Sequence, residues 1–261
     1  MNAARLRRPA ATLAILMISA FPAAAAVAAA PLPTAAVRTA DHPSDPLVWG
    51  KLLYQEGCAS CHALSGQGGN GIPGVIAKGA AGTDFEVSTG RMPLGTIANQ
   101  PIRRTRSLYT KDETAAMAAY IASLGVGPAI PSAAQVDWKN ADLAMGGEVF
   151  RTNCAQCHSF SGQGGALTWG KQAPNLMLAT PTQIYEAMLI GPNNMPQFSD
   201  ATLPPAQKQA VIKYIEFLKE PANPGGLNLG RLGPVSEGLF GWAAGFTILV
   251  IIAVWIGVKA K

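Results

Sequence analysis

The sequence predicts a mainly α-helical protein, built from two tandem copies of one small domain and a C-terminal transmembrane helix. Three observations carry this expectation. The motif Cys-x-x-Cys-His occurs at Cys58-Ala59-Ser60-Cys61-His62 and again at Cys154-Ala155-Gln156-Cys157-His158. Each copy is followed at the same distance by the same loop, Ser65-Gly66-Gln67-Gly68-Gly69 and Ser161-Gly162-Gln163-Gly164-Gly165. The stretch Leu239–Val258 runs for 20 residues without a charge. Self-similarity at this spacing means a duplicated domain rather than a solenoid of short repeats. Strand-like alternation is scarce.

Composition agrees. The chain is 49% hydrophobic and 13% charged, rich in Ala, Gly and Pro, which suits membrane segments joined to small, loop-rich domains. The net charge of +5 comes from the ends, where Arg5, Arg7, Arg8, Lys259 and Lys261 flank apolar segments. The rest balances, so nothing favours a nucleic-acid partner, and the terminal charges have the distribution of membrane-flanking residues.

Residues 1–36 are expected to be a signal peptide or an N-terminal membrane segment. Arg5, Arg7 and Arg8 form a basic start, Ala10 to Phe21 is a short apolar run, and Ala28-Ala29-Ala30 offers a small-residue cleavage site. Pro22, Pro31 and Pro33 oppose one continuous helix, which favours cleavage. Residues 47–125 form the first domain. Leu47, Leu52, Leu53 and Tyr54 predict a helix leading into Cys58. The glycines after His62 predict a loop. Asp112-Glu113 open a closing helix with Ala116, Met117, Tyr120, Ile121 and Leu124 on one stripe, ended by Gly125.

Residues 126–137 read as a short linker that keeps the two domains close. Residues 138–220 repeat the first unit, with Val211, Tyr214, Ile215 and Leu218 matching Met117, Tyr120, Ile121 and Leu124. Residues 221–238 read as a Pro/Gly linker. Residues 239–258 are long enough to cross a hydrocarbon core of about 30 Å, with Trp242 and Trp255 near the ends. Lys259 and Lys261 follow, which places the C-terminus in the cytoplasm and both domains outside it.

The two motifs use all four cysteines and two of the three histidines. Cys residues three apart on a helical turn face one way, so both sulfurs can reach the vinyl groups of one porphyrin, and the next His can ligate its iron. This is the attachment site of haem c. Cys58, Cys61, Cys154 and Cys157 are therefore expected to bind two haems covalently, with His62 and His158 as axial ligands. A zinc site would need both pairs in one tetrahedral cluster and leaves the histidines unexplained. A thioredoxin-like pair expects a βαβ context. A disulfide within a Cys-x-x-Cys is strained.

The second axial ligands are expected to be Met92 and Met195, each followed by Pro in loop sequence ahead of the closing helix. A thioether is a soft ligand that favours Fe(II). Met117 and Met188 read as apolar helix positions, and Met is commonly core filler. His42, the spare histidine, reads as a linker residue. Arg103, Arg104 and Arg106 make a basic cluster that reads first as a solvated loop and second as a surface steering an acidic partner.

Each unit resembles a class I cytochrome c domain: a helix ending in Cys-x-x-Cys-His, a Gly-rich loop, a Pro, a Met-Pro and a closing helix with a Tyr-Ile pair. The resemblance implies that the carbonyls of Pro73 and Pro174 accept the ring N–H of His62 and His158. The whole chain is similar to the dihaem cytochrome c (cytochrome cc) subunit of the actinobacterial cytochrome bc1 complex. The likeness is notable at Val87-Ser88-Thr89-Gly90-Arg91-Met92-Pro93 and Gly191-Pro192-Asn193-Asn194-Met195-Pro196. It implies an electron-transfer subunit of a quinol–cytochrome c reductase, without a substrate site or catalytic residue of its own. The cytochrome b subunit, the Rieske iron–sulfur subunit and cytochrome c oxidase would be its partners. Electrons would pass from the Rieske centre to the oxidase copper with no soluble cytochrome c. A lone membrane-tethered shuttle and a dihaem oxidoreductase such as a peroxidase are the alternatives; the latter needs an open axial position, which a Met at each haem would close.

Overall fold

The computed structural model describes residues 42–220 and 234–259. The expected signal segment 1–36, Lys261 and linker residues 221–233 lie outside the described residues. Within them the chain is mainly helical, and its two haem-motif units are built alike.

In the first unit, α1 (Pro46–Gly57) starts where the Asp45 side chain accepts from the Leu47 N–H at 2.8 Å and Pro46 presets the first helical residue. A one-turn helix, α2 (Ala59–His62), follows directly. Helix α3 (Gly79–Ser88) comes next, then α4 (Lys111–Leu124). A capping box starts α4: Thr110 Oγ1 accepts from the Glu113 N–H, and the Glu113 carboxylate accepts from the Thr110 N–H at 2.7 Å. The second unit repeats the plan with α5 (Leu143–Asn153), α6 (Ala155–His158), α7 (Pro181–Ile190) and α8 (Pro205–Lys219). Two-residue strands β1 (Gly165–Ala166) and β2 (Gln172–Ala173) pair antiparallel between α6 and α7.

In both units the first helix crosses the last at a glycine. A Cβ on Gly50 would land on the Ala116 carbonyl oxygen of α4, and one on Gly146 on the Ala210 carbonyl oxygen of α8. Only a hydrogen fits, so the helices meet backbone to backbone. An aromatic pair sits beside each crossing, Tyr54 with Tyr120 at 5.5 Å and Phe150 with Tyr214 at 5.2 Å between ring centroids. The expected stripe of α4 is buried at Ala116, Met117, Tyr120 and Ile121. The expected apolar face of α1 needs correction. Gly50, Leu53 and Tyr54 are buried, whereas Leu47 and Leu52 are exposed, because the close helix approach lies on the Gly50 side. Met117 and Met188 are core residues at 1% and 3% exposure, as their helical positions implied.

Helices α3 and α7 were not anticipated. They pack on each other and join the two units. Ala81, Phe85 and Ile190 are buried together, with Ala187 and Leu189 against them. Lys78 Nζ donates across the join to the Ile190 carbonyl at 2.8 Å. The segment 126–137 is fastened at both ends rather than loose: the Ala81 N–H donates to the Pro128 carbonyl at 3.0 Å, and Val136 packs on the second core. The final helix, α9 (Pro234–Lys259), begins inside the stretch 221–238 read as linker. Its segment Glu237–Lys259 is long and apolar enough to cross a membrane.

Candidate haem-binding sites

The two Cys-x-x-Cys-His motifs adopt the same backbone. Cys58 and Cys154 each end the preceding helix, their N–H groups donating to the carbonyls of Tyr54 and Phe150 at 2.8 Å. The His62 N–H donates to Cys58 O, and the His158 N–H to Cys154 O, both at 2.9 Å, closing one helical turn. That turn puts both sulfurs and the ring on one side. Ala63 and Ser159 then take left-handed φ values of 63° and 62°, which swings the chain under the ring.

The glycine loop completes the turn. Gly68 and Gly164 donate to the His62 and His158 carbonyls at 2.9 Å. They have φ of 75° and 87°, and a Cβ there would strike Ile72 O and Ala173 O; glycine is required on both counts. The loop brings a proline carbonyl to each ring. His62 Nδ1 lies 2.8 Å from Pro73 O, and His158 Nδ1 lies 3.0 Å from Pro174 O. A carbonyl only accepts, so Nδ1 carries the proton in both rings and Nε2 keeps a free lone pair for a metal. Burial lowers the pKa of His158, opposed by its bond to Pro174, which further favours the neutral, ligating ring.

The methionine loops leave the ends of α3 and α7, the helices that sequence reasoning missed. Gly90 (φ 68°) turns the chain out of α3, and the Met92 N–H donates back to Glu86 O at 2.9 Å. Gly191, left-handed at φ 55°, caps α7 by donating to Ala187 O at 3.0 Å, and the Met195 N–H donates to Pro192 O at 2.9 Å. Met92 and Cys58 pack on the same first-unit core as Leu53, Val87 and Tyr109. In the second unit, Cys154, Cys157, His158 and Met195 line one cavity. A signal for α7 was present: Thr180-Pro181 with Gln183 is a capping box and Gly191 a C-terminal stop. Helix α3 starts without a side-chain cap and carries no such signal.

The donor set fits haem c. Burial, then the neighbouring Cys61 or Cys157, raises the Cys58 and Cys154 thiols to about 11. Among the described residues no three His, Cys, Asp or Glu side chains gather into a metal cluster, so the two cysteine pairs do not form the joint site that zinc would need. The second site is the more enclosed: His158 is buried and His62 half-exposed. Trp169, at the tip between β1 and β2, is 88% exposed. The basic cluster divides: Arg104 and Arg106 are exposed, but Arg103 is half-buried and donates from Nη1 to Gln183 Oε1 at 3.0 Å. With Phe85, Arg91 and Gln100 of the first unit it lines the second unit's cavity. Sequence reasoning assigned these four residues no such place, because nothing periodic links positions 85–103 to a motif at 154.

The cytochrome c family profile matches residues 48–125, and the profile described as cytochrome C oxidase, cbb3-type, subunit III matches residues 141–215. The chain is 40% identical to the cytochrome bc1 complex cytochrome c subunit of Corynebacterium efficiens, over 99% of this chain and 92% of that one. It is 42% identical to the subunit of the same name from Corynebacterium diphtheriae, over 87% of this chain and 86% of that one. With that of Mycobacterium leprae the identity is 39%, over 94% of this chain and 87% of that one. Two cytochrome c domains and a C-terminal apolar helix, aligned over nearly the whole length, place this chain in the family of cytochrome bc1 complex cytochrome c subunits.

Proposed function

We propose that the chain carries two covalently attached haems c and passes electrons from the Rieske centre of a bc1 complex to the copper centre of cytochrome c oxidase. The observation that carries this reading is the doubling of one complete ligand set. Cys58, Cys61, His62 and Met92 would form the first, and Cys154, Cys157, His158 and Met195 the second; each ring is held to a proline carbonyl. When bound, haem c supplies one-electron Fe(III)/Fe(II) cycling.

The protein's own groups set the conditions for that chemistry. The Pro73 and Pro174 carbonyls fix ring tautomer and orientation. Met92 and Met195 would each hold an iron through soft sulfur, which would raise its potential and leave no open position for a substrate. A peroxidase-like role is disfavoured on that ground. The packed α3–α7 join holds the two sites in one body, as a fixed relay requires and a pair of loosely strung domains would not provide.

The segment Glu237–Lys259 is the proposed C-terminal anchor, with Lys259 on the cytoplasmic side and both cytochrome c domains outside. The cytochrome b and Rieske subunits are the proposed neighbours on the donor side and the oxidase on the acceptor side. Anchoring raises the effective concentration of each partner, so a soluble carrier becomes unnecessary. Purification of the full chain in mild detergent tests the reading. The account expects a denatured polypeptide that keeps two haem masses and co-purifies with Rieske, cytochrome b and oxidase chains. A polypeptide without haem, or one purified free of all these chains, refutes it.

A further inference from the structure

The cavity of the second site is not made by the second domain alone. Phe85, Arg91, Gln100 and Arg103 of the first domain line it, alongside His158 and Met195. They are held there firmly. Gln100 exchanges two hydrogen bonds with the Gln172 backbone, Nε2 donating to its carbonyl at 2.7 Å and Oε1 accepting from its N–H at 2.9 Å. Arg103 is tied to Gln183 on α7.

Arg91 is the telling residue. It is 7% exposed, and its guanidinium stacks on Phe85 at 4.6 Å from the ring centroid. Among the described residues its Nη1 is buried without a hydrogen-bond partner. A buried cationic donor left unsatisfied is costly, so its presence on the wall of a cavity calls for an anionic acceptor inside. Glu86 lies close enough to act on its charge, yet does not take up that donor.

We propose that Arg91 and Arg103 of the first domain bind the propionate carboxylates of the haem held by the second domain. This rests on the haem reading above. A haem brings two carboxylates, and the cavity wall brings two guanidinium groups whose planar forks suit carboxylate geometry. Two consequences follow. The second site is complete only when the domains are joined, which gives the α3–α7 join a role beyond packing. Arg91 also immediately precedes Met92, so one loop serves the first iron and anchors the second haem.

The test uses the full chain in its complex. Arg91→Gln and Arg103→Gln are compared with Arg104→Gln, an exposed position on the same loop, and with Arg91→Lys, which keeps the charge but not the fork. Haem mass, spectroelectrochemical titration and the propionate bending band in resonance Raman are read. Repeating Arg91→Gln in a Met195→Ala background separates the second haem from the first in the titration. The expected result is two haems retained, a shifted propionate band, and a second haem whose Fe(II)/Fe(III) ratio at fixed potential falls about tenfold, equal to about 59 mV for one electron. Arg104→Gln should do nothing, and Arg91→Lys should restore the potential but not the Raman band. The proposal is overturned if both Gln variants keep the wild-type potential and band while only thermal stability drops, or if only the first haem shifts. Two haems in every variant with unchanged spectra would remove this inference and leave the haem reading intact; absence of haem from the wild type would remove both. Should Arg91→Gln fail to fold, Arg103→Gln and Arg91→Lys carry the same readouts.

Discussion

Glu186 offers a quantitative probe of the join between the two cytochrome c domains. It lies on α7, 0% exposed, facing Asp84 of α3. Burial, and after it the Asp84 carboxyl, pushes its pKa from 4.5 up to about 9. Asp84 is itself raised by burial, with the neighbouring Glu186 carboxyl pulling the other way. In the unfolded chain Glu186 ionises near its ordinary value. Between the two values the folded protein holds a proton that the unfolded chain has released, so stability falls as pH rises. The contribution is fully present below about pH 4.5 and lost by about pH 9. The slope is up to about 1.4 kcal/mol per pH unit, so the loss reaches about 3 kcal/mol near neutral pH. Glu186→Gln keeps a donor facing Asp84 and removes the titration. Thermal unfolding of the detergent-solubilised full chain should show variant and wild type alike near the lower limit. Near neutrality the variant should melt about 5–10 °C higher. A variant that follows the wild type at every pH, or melts lower near neutrality, refutes the argument.

Two further outcomes follow from the geometry. Gly50→Ala and Gly146→Ala place a methyl on the Ala116 and Ala210 carbonyl oxygens; each should cost about 1–3 kcal/mol or more through overpacking and lower haem content in its own domain, as read by unfolding and haem stain. Met92→Ala and Met195→Ala should keep haem attached but lower that haem's potential and admit carbon monoxide to the reduced protein, because the soft axial ligand is gone; unchanged spectra and potentials in both variants would show the wrong sulfurs were assigned.

Much of this protein was legible in its residue order because its chemistry is local. Cys58 to His62 is one helical turn, so motif spacing located both rings, while their carbonyl partners, Pro73 and Pro174, came only from the resemblance to class I cytochrome c domains. The closing helices α4 and α8 were legible from an apolar stripe, and α9 from an unbroken apolar run. The join was not. Helix α3 is short, rich in Gly and Ala and uncapped by a side chain, and its contact with α7 spans about a hundred residues of sequence. The glycines of the helix crossings were also passed over: Gly50 and Gly146 carry no pattern in sequence, and their need appears only where two backbones touch. Arg103 sits in a run of three basic residues that reads as solvated, yet the join buries part of it against Gln183.

The measurement that bears most directly on the central claim is quinol-driven oxygen uptake by membranes with no cytochrome c added, comparing the wild type with Cys154→Ala/Cys157→Ala. The account predicts that the variant's remaining haem, at Cys58 and Cys61, is still reduced by quinol while oxygen uptake stops. Uptake at the wild-type rate in that variant would contradict a relay through both sites.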